Sequence, residues 1–262
     1  MEIIKSILLG VVQGLTEFLP ISSSGHLEIF KVILGFETGL NNNILFTLIL
    51  HLATSFSVIV VYWKDINKIF KSIFSMKKDE NTYFFSLILI SIFPAGIVGF
   101  LLEEKISNLF DGNIILVGSM LLFTSIILFV SDFKIKTTNK LDYVKSFFVG
   151  VSQALAIIPG ISRSGLTICS SVLMGVNREL AAKFSFLMVL PIIFGSFLKI
   201  LIFDEIIFNQ EIISLYVFGF LSAFISGIFA CKWMIVIVKK SKMKYFSLYC
   251  LAIGLICIFF SL

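Results

Sequence analysis

Charge is what this 262-residue sequence has least of: Asp, Glu, Lys and Arg make up 14% of it, where an ordinary soluble domain carries about 25%. So few charges cannot cover a water-exposed surface, which excludes a soluble enzyme and a disordered chain. Proline (4), cysteine (4) and histidine (2) are scarce as well. The four cysteines, Cys169, Cys231, Cys250 and Cys257, lie in apolar stretches with no metal-like spacing. They exclude a disulfide scaffold and read as small buried hydrophobes. Only two of the 21 basic residues are arginine, Arg163 and Arg178. What fills the chain instead is apolar: 58% hydrophobic residues, 30 of them Phe, at a mean hydropathy of +1.05. This is the composition of a polytopic α-helical membrane protein. A net charge of +5 then marks loop orientation, not nucleic-acid binding. The first apolar stretch runs into a polar motif with no small-residue cleavage site, so it does not read as a cleaved signal peptide.

A spanning helix needs about 20 mostly apolar residues. Six stretches qualify, at about 44–63, 84–103, 113–131, 184–203, 213–238 and 245–261. Two further apolar regions, 3–35 and 144–176, are each interrupted, by Pro20-Ile21-Ser22-Ser23-Ser24-Gly25 and by Pro159-Gly160-Ile161-Ser162-Arg163-Ser164-Gly165. Each half is too short to cross. Lysines at 64–78, 134–145 and 239–244 mark three cytoplasmic loops; the acidic loops at 103–111 and 204–211 fall outside. Parity then requires 144–176 to enter and leave on the cytoplasmic face and 3–35 on the outer one, with both termini outside. Broken backbone at membrane depth is tolerated only where protein buries it or water reaches it.

A shift of 140 residues aligns GVVQGLTEFLPISSSG (10–25) with GVSQALAIIPGISRSG (150–165), identical at eight of sixteen positions. The register extends to Leu34-Gly35 against Met174-Gly175 and to Phe46 against Phe186. With opposite orientations, this is an inverted-topology repeat, an architecture that places its site at the broken helices near the bilayer midplane. The expected fold is therefore an all-α integral membrane protein: six long transmembrane helices plus two re-entrant broken helices. It forms one polytopic domain, 1–262, with repeat one at about 1–131 and repeat two at about 144–262.

Ionisable groups inside a membrane are costly and are functional candidates by default. Gln13 and Glu17, four apart, share one helix face beside the first break, as a polar clamp or as a cation or proton site. Ser22, Ser23, Ser24 and Gly25 open a new helix. One serine explains a cap; three serines, a glycine and His26 suit an anion, particularly phosphate, at a helix start. A serine beside a base is the pattern of covalent catalysis, and His26 can move a proton. Arg163 opens the second helix, where its planar fork can bind phosphate; Arg178 reads as a structural charge on the cytoplasmic side. His51, mid-span, reads as a core histidine or a ligand without preference. Glu28 and Lys31 read as a pair near the outer surface.

These motifs resemble the undecaprenyl pyrophosphate phosphatase family, the bacitracin-resistance (BacA/UppP) type. Its first signature matches Gln13 through Glu17 and continues as FLPISSSGH to His26; its second, PGxSRSxxT, matches Pro159 through Thr167. The likeness spans essentially the whole chain. Many relatives carry Glu where this chain has Gln13.

The resemblance implies a bacterial plasma-membrane phosphatase that converts undecaprenyl diphosphate to undecaprenyl phosphate. It would recycle the lipid carrier of peptidoglycan synthesis and confer tolerance of bacitracin, which sequesters the substrate. A divalent metal, magnesium or calcium, is implied, with Gln13 and Glu17 toward it, and so is a homodimer. Glu17 would be the essential acid or metal ligand, Ser23 the nucleophile and His26 its proton partner. Arg163 with Ser162 and Ser164 would hold the diphosphate, alongside Ser22, Ser24, Gly25 and Thr167. Serine and water both remain open as nucleophile. Type 2 phosphatidic-acid phosphatases share an SGH element but need a later histidine after SR, which this chain lacks. A transporter or flippase shares the inverted-repeat hardware, and phosphate release would separate the two.

Overall fold

The computed structural model describes residues 1–36, 40–101, 113–133, 140–203, 210–239 and 243–260. Among them are eleven helices and no strand. Six are long and apolar enough to cross a membrane: α3 (Leu40–Val61), α5 (Glu80–Leu101), α6 (Ile114–Ser131), α9 (Arg178–Phe203), α10 (Gln210–Lys239) and α11 (Met243–Phe260). They fall on the six apolar stretches. The chain is a multi-pass membrane protein.

The two interrupted regions form helix pairs. α1 (Glu2–Phe18) and α2 (Ser23–Leu34) flank the first break, α7 (Tyr143–Leu155) and α8 (Arg163–Leu173) the second. At 1.5 Å per residue they span about 16–26 Å, short of a hydrocarbon core of about 30 Å. α1 and α2 double back on each other, since Lys5 Nζ near the start of α1 donates to the Gly35 carbonyl at the end of α2 (3.1 Å). Two pairs of positions related by the 140-residue register are alike in the structure. Gly35 and Gly175 both take positive φ after the second helix of their pair, where a residue with a Cβ would be strained, and Phe46 and Phe186 are both buried.

Side-chain contacts sort the helix ends onto two faces of the bundle. Lys183 pairs with Asp65, Lys239 with Glu179 (2.9 Å) and Arg178 with Asp132 (3.3 Å); the Lys244 amide donates to Asp132 (2.7 Å). Tyr143 at the start of α7 packs on Tyr83 at the start of α5. These contacts gather 63–83, 131–133, 140–145, 178–183, 239 and 243–244, with most of the described lysines, at one end. The start of α1 lies at the other end: Ser6 Oγ donates to the Leu215 carbonyl near the start of α10 (2.5 Å), and Lys31 Nζ to Thr47 Oγ1 (2.9 Å). Arg178 is thus tied down, with Nη2 also on the Ser131 carbonyl (3.0 Å). The Glu28–Lys31 pair forms (3.0 Å). The acidic loops at 103–111 and 204–211, and Lys134, Lys136, Lys240 and Lys242, lie outside the described residues or side chains.

One helix was hidden in a lysine loop: α4 (Trp63–Phe74). It buries Ile69 and Ser72 and leaves Phe70, Phe74 and its lysines exposed, so no window of apolar length reveals it.

Little hydrophobic force drives helices together within lipid, so close backbone packing on small residues carries more of the association. Each first helix packs on a long helix of the other repeat. α1 lies on α10, where a Cβ at Gly10 would collide with the Gly219 carbonyl and one at Gly14 would sit 2.6 Å from the Ala223 carbonyl oxygen. α7 lies on α5, where a Cβ at Gly150, the repeat counterpart of Gly10, would collide with the Ser91 carbonyl. α6 and α11 cross at Gly118 and Gly254. The four cysteines are buried thiols, not joined in disulfides. This exchange of helices between repeats brings the two breaks together.

Candidate functional site

α1 ends at Phe18 because Leu19 turns extended and Pro20 follows. α2 then begins from Ser22, which caps it by accepting from the Gly25 amide (3.2 Å). Ser22 holds φ at +70°, a left-handed conformation that costs a residue with a Cβ about 1–3 kcal/mol unless its surroundings fix it. They do: the Ser22 carbonyl accepts from the His26 amide (3.1 Å) and from His26 Nδ1 (2.8 Å). Ser162 caps α8 the same way, accepting from Gly165 N (3.0 Å). At Gly160, with φ of +95°, a Cβ would stand 2.6 Å from the Val117 carbonyl oxygen, so the second break needs glycine there.

Both helix starts converge on one carboxylate. Glu17, 7% exposed, accepts on Oε2 from Ser23 Oγ (2.8 Å) and Gln13 Nε2 (2.8 Å). Its Oε1 pairs with Arg163 Nη2. Arg163 is braced from α9 through Nη1 to the Ser185 carbonyl (3.1 Å), and Thr167 Oγ1 shares a hydrogen bond with Ser185 Oγ (2.6 Å). The two breaks also touch directly, since Ser164 Oγ donates to the Leu19 carbonyl (3.2 Å). Ser23 and Arg163 therefore meet over a single side chain, well inside the distance that joint grip on one ligand requires.

The remaining sequence candidates fall around this centre. Ser22 and Ser162 serve as caps, and Ser24 Oγ lies 3.3 Å from Ser22 Oγ. Gly25 approaches Gly160, 3.1 Å from where its Cβ would stand. His26 is not brought to Ser23: its Nδ1 donates to the Ser22 carbonyl, which leaves Nε2 to accept from Tyr249 Oη (2.8 Å). The Tyr249 ring stacks on His26 at 5.6 Å.

Two further residues take part, one that the sequence left undecided and one that it missed. His51 of α3 joins the carboxylate, with Nδ1 at 2.8 Å from Gln13 Nε2 and 3.2 Å from Glu17 Oε2. The signal for it was a histidine in the middle of an apolar span. Tyr249 gave no signal, because an aromatic in α11 reads as ordinary lipid-facing bulk.

Among the described residues no group of three or more His, Cys, Asp and Glu is arranged to hold a metal ion. A hard cation would find the Glu17 carboxylate and Gln13 Oε1, which is buried without a hydrogen-bond partner among the described residues. Magnesium is often held by one or two carboxylates with substrate phosphates and water completing its shell. That donor set fits such a role.

A carboxylate that receives a serine hydroxyl and a guanidinium, at two helix starts inside a bundle of membrane helices, is the equipment of a multi-pass membrane hydrolase acting on an anionic group. The chain belongs to the bacitracin resistance protein BacA family, whose model matches residues 6–256. It is 49% identical over 261 residues to a protein of Christiangramia forsetii named undecaprenyl-diphosphatase, covering 100% of this chain and 99% of that one. Proteins of the same name from Bacteroides fragilis (42% over 263 residues, 98% of each chain) and Methanococcus vannielii (39% over 260 residues, 98% of this chain and 99% of that one) are also similar.

Proposed function

We infer that this protein hydrolyses undecaprenyl diphosphate to undecaprenyl phosphate and inorganic phosphate, an activity that recycles the peptidoglycan lipid carrier and confers bacitracin resistance. The observation that carries the reading is Glu17, which accepts from Ser23 of one break and pairs with Arg163 of the other.

In the mechanism that this geometry supports, Arg163, its plane still held by the Ser185 carbonyl, exchanges Glu17 for the non-bridging oxygens of the diphosphate, where charge-assisted bidentate contacts are strongest. Glu17, freed of that partner, takes the proton of Ser23 Oγ as the oxygen attacks the terminal phosphorus. The bond to the bridging oxygen breaks, and undecaprenyl phosphate leaves. Water then attacks the phosphoserine phosphorus as protonated Glu17 returns its proton to Ser23 Oγ, which releases inorganic phosphate and restores both residues. His26, held by Ser22 and Tyr249, orients the substrate and does not activate Ser23. A divalent ion, magnesium or calcium, held by Glu17 and Gln13 Oε1, would neutralise phosphate charge and polarise the P–O bonds. Ser24, Gly25, Ser162, Ser164 and Thr167 shape the two helix starts that receive the diphosphate.

The lysine-rich end would face the cytoplasm of a bacterial plasma membrane. Both termini are then outside, and the α1–α2 and α7–α8 pairs are re-entrant from opposite faces. A homodimer is proposed from the family resemblance alone. The test is phosphate release from undecaprenyl diphosphate by detergent-purified protein, with and without chelator. Chelation and Glu17→Gln should each abolish release, the latter even at high metal concentration; a fully active Glu17→Gln enzyme refutes the scheme. Rapid quenching should trap phosphate on Ser23, whereas parental turnover by Ser23→Ala would make water the nucleophile. Movement of the lipid without phosphate release would favour a transporter.

A further inference from the structure

α4, which the Glu17 centre does not use, carries three stripes along its length. Ile66, Ile69 and Ile73, at i, i+3 and i+7, face the bundle and pack into its core. Trp63, Phe70 and Phe74, at i, i+7 and i+11, form the next stripe and turn away from the bundle, each more than half exposed and Phe74 at 82%. Lys64, Lys68 and Lys71, at i, i+4 and i+7, form the third, beside the aromatics, and Lys77 and Lys78 follow the helix. We propose that α4 is a docking surface for anionic phospholipid, with its aromatic stripe in the leaflet at the lysine-rich end of the bundle and its lysines on the phosphates of the lipid heads. The contact is independent of the diphosphatase reading.

The charge on this surface is uncompensated. None of Lys64, Lys68, Lys71, Lys77 and Lys78 makes an ion pair or hydrogen bond among the described residues, whereas Lys145, Lys183 and Lys239 at the same end pair with Asp142, Asp65 and Glu179. The acidic side chains nearest in sequence are engaged elsewhere or stand apart. Asp65 is held by Lys183 of α9, Asp79 by Ser72 Oγ (2.7 Å) and the Asn81 and Thr82 amides, and Glu80 forms no ion pair with the five. The preference of lysine for one side of a membrane accounts for basic residues at this end. It does not account for five that go without a carboxylate next to a row of exposed rings.

Position favours lipid over a soluble acidic partner. Tyr62 alone separates α4 from the membrane-crossing α3, so the helix starts at the bilayer boundary. Past its end, Met76 holds φ at +50°, a left-handed conformation that usually falls to glycine, and its side chain is 92% exposed. Water disfavours that side chain, whereas acyl chains would surround it favourably. A helix with aromatics on one face and lysines on the next lies in the interface: the rings sit between headgroups and acyl chains, and the lysine stems carry their ammonium groups out to phosphate. Zwitterionic lipid would accommodate the rings equally well; the lysines select net negative charge.

The test uses full-length protein carrying Trp233→Phe, which leaves Trp63 as the one tryptophan, in nanodiscs of phosphatidylcholine and phosphatidylglycerol. Each lipid in turn is brominated near the glycerol end of its acyl chains, so that quenching of Trp63 fluorescence reports which lipid touches it. One lysine close to an anionic surface is worth about fivefold in association. Phosphatidylglycerol should therefore be preferred at Trp63 by at least about fivefold at low salt, and by less as salt rises. Lys64→Gln/Lys68→Gln/Lys71→Gln should be quenched equally by the two lipids, while Lys140→Gln/Lys145→Gln should keep the parental preference. Should the triple variant fail to purify, Lys68→Gln/Lys71→Gln serves in its place. Equal quenching of the parent by both lipids, or a preference that survives loss of the lysines, would overturn the proposal. So would a Trp63 that aqueous iodide quenches and neither lipid does, an outcome that leaves α4 to a soluble acidic partner.

Discussion

Arg163→Lys separates charge from geometry. Lysine preserves the positive charge at the start of α8, but a single ammonium cannot reproduce a fork that reaches Glu17 with one nitrogen and the Ser185 carbonyl with the other. In the parent, the Ser185 brace fixes the guanidinium plane, so a diphosphate arriving at Glu17 meets two aligned N–H donors. The variant keeps one flexible donor and loses the brace. Losing a charge-assisted contact that strengthens in the transition state costs about 2–4 kcal/mol, which corresponds to a fall of roughly 30- to 1,000-fold in kcat/KM. The assay is phosphate release by protein that inserts, purifies and melts like the parent. Arg178→Lys is the control. It gives up the bond to the Ser131 carbonyl and some stability at the lysine-rich end, but lies away from the two breaks and should keep its turnover. Near-parental kcat/KM in Arg163→Lys would mean that Arg163 is a structural partner of Glu17 and that the diphosphate is held elsewhere.

Tyr249→Phe keeps the ring stacked on His26 and removes the one O–H that reaches Nε2. Loss of a hydrogen bond of about 1 kcal/mol should lower kcat roughly fivefold with KM little changed, and equal kcat would show that the hydroxyl is idle. Gly150→Ala places a methyl against the Ser91 carbonyl between α7 and α5; it should destabilise the protein by about 1–3 kcal/mol, read as a lower melting point in detergent. Asp79 caps α5 by accepting from the Asn81 and Thr82 amides and from Ser72 Oγ, and the Thr82 amide and these other donors hold its carboxyl below the usual carboxylate range. A depressed folded-state pKa gives stability that is present above the unfolded value and lost as pH falls through the folded one. Asp79→Asn should therefore melt lower than the parent at neutral pH, and the gap should close in acid; a gap independent of pH would refute the cap's ionic character.

The six spans were legible because twenty apolar residues leave few alternatives in a membrane, and the repeat was legible as eight identities in sixteen. The pairing of α1 with α10 and of α7 with α5 was not. It is written only in where glycine falls, and Gly10 and Gly150 acquire meaning once the carbonyls opposite them are seen. Ser23, Glu17 and Arg163 could be named from their motifs, but their convergence on one carboxylate needed the two breaks to meet. His26 shows the limit of adjacency in sequence. Three residues after Ser23 it shares a helix face with that serine, yet the left-handed Ser22 carbonyl captures its Nδ1 and turns its other nitrogen to α11. His51 reached the centre from a separate span, and no spacing rule connects it to Gln13.

The 140-residue register also shows how one site arises from two similar halves. It equates Ser23 with Arg163, Gln13 with Gln153, Glu17 with Ile157 and His51 with Pro191. Two helix starts thus supply equivalent positions, one bearing a hydroxyl and the other a guanidinium, and both reach Glu17. Only repeat one has the carboxylate and imidazole to receive them. Repeat two keeps the amide without those partners: Gln153 is buried with neither its oxygen nor its nitrogen hydrogen-bonded among the described residues. A second copy of Glu17 at position 157 would bring another negative charge to the second break, which packs against the first, and two close carboxylates raise each other's cost of ionisation. Ile157→Glu should accordingly impair turnover although it restores the symmetry. Phosphate release by that variant is the measurement; activity at or above the parental level would refute the view that a single carboxylate, shared by two unlike helix starts, sets the chemistry.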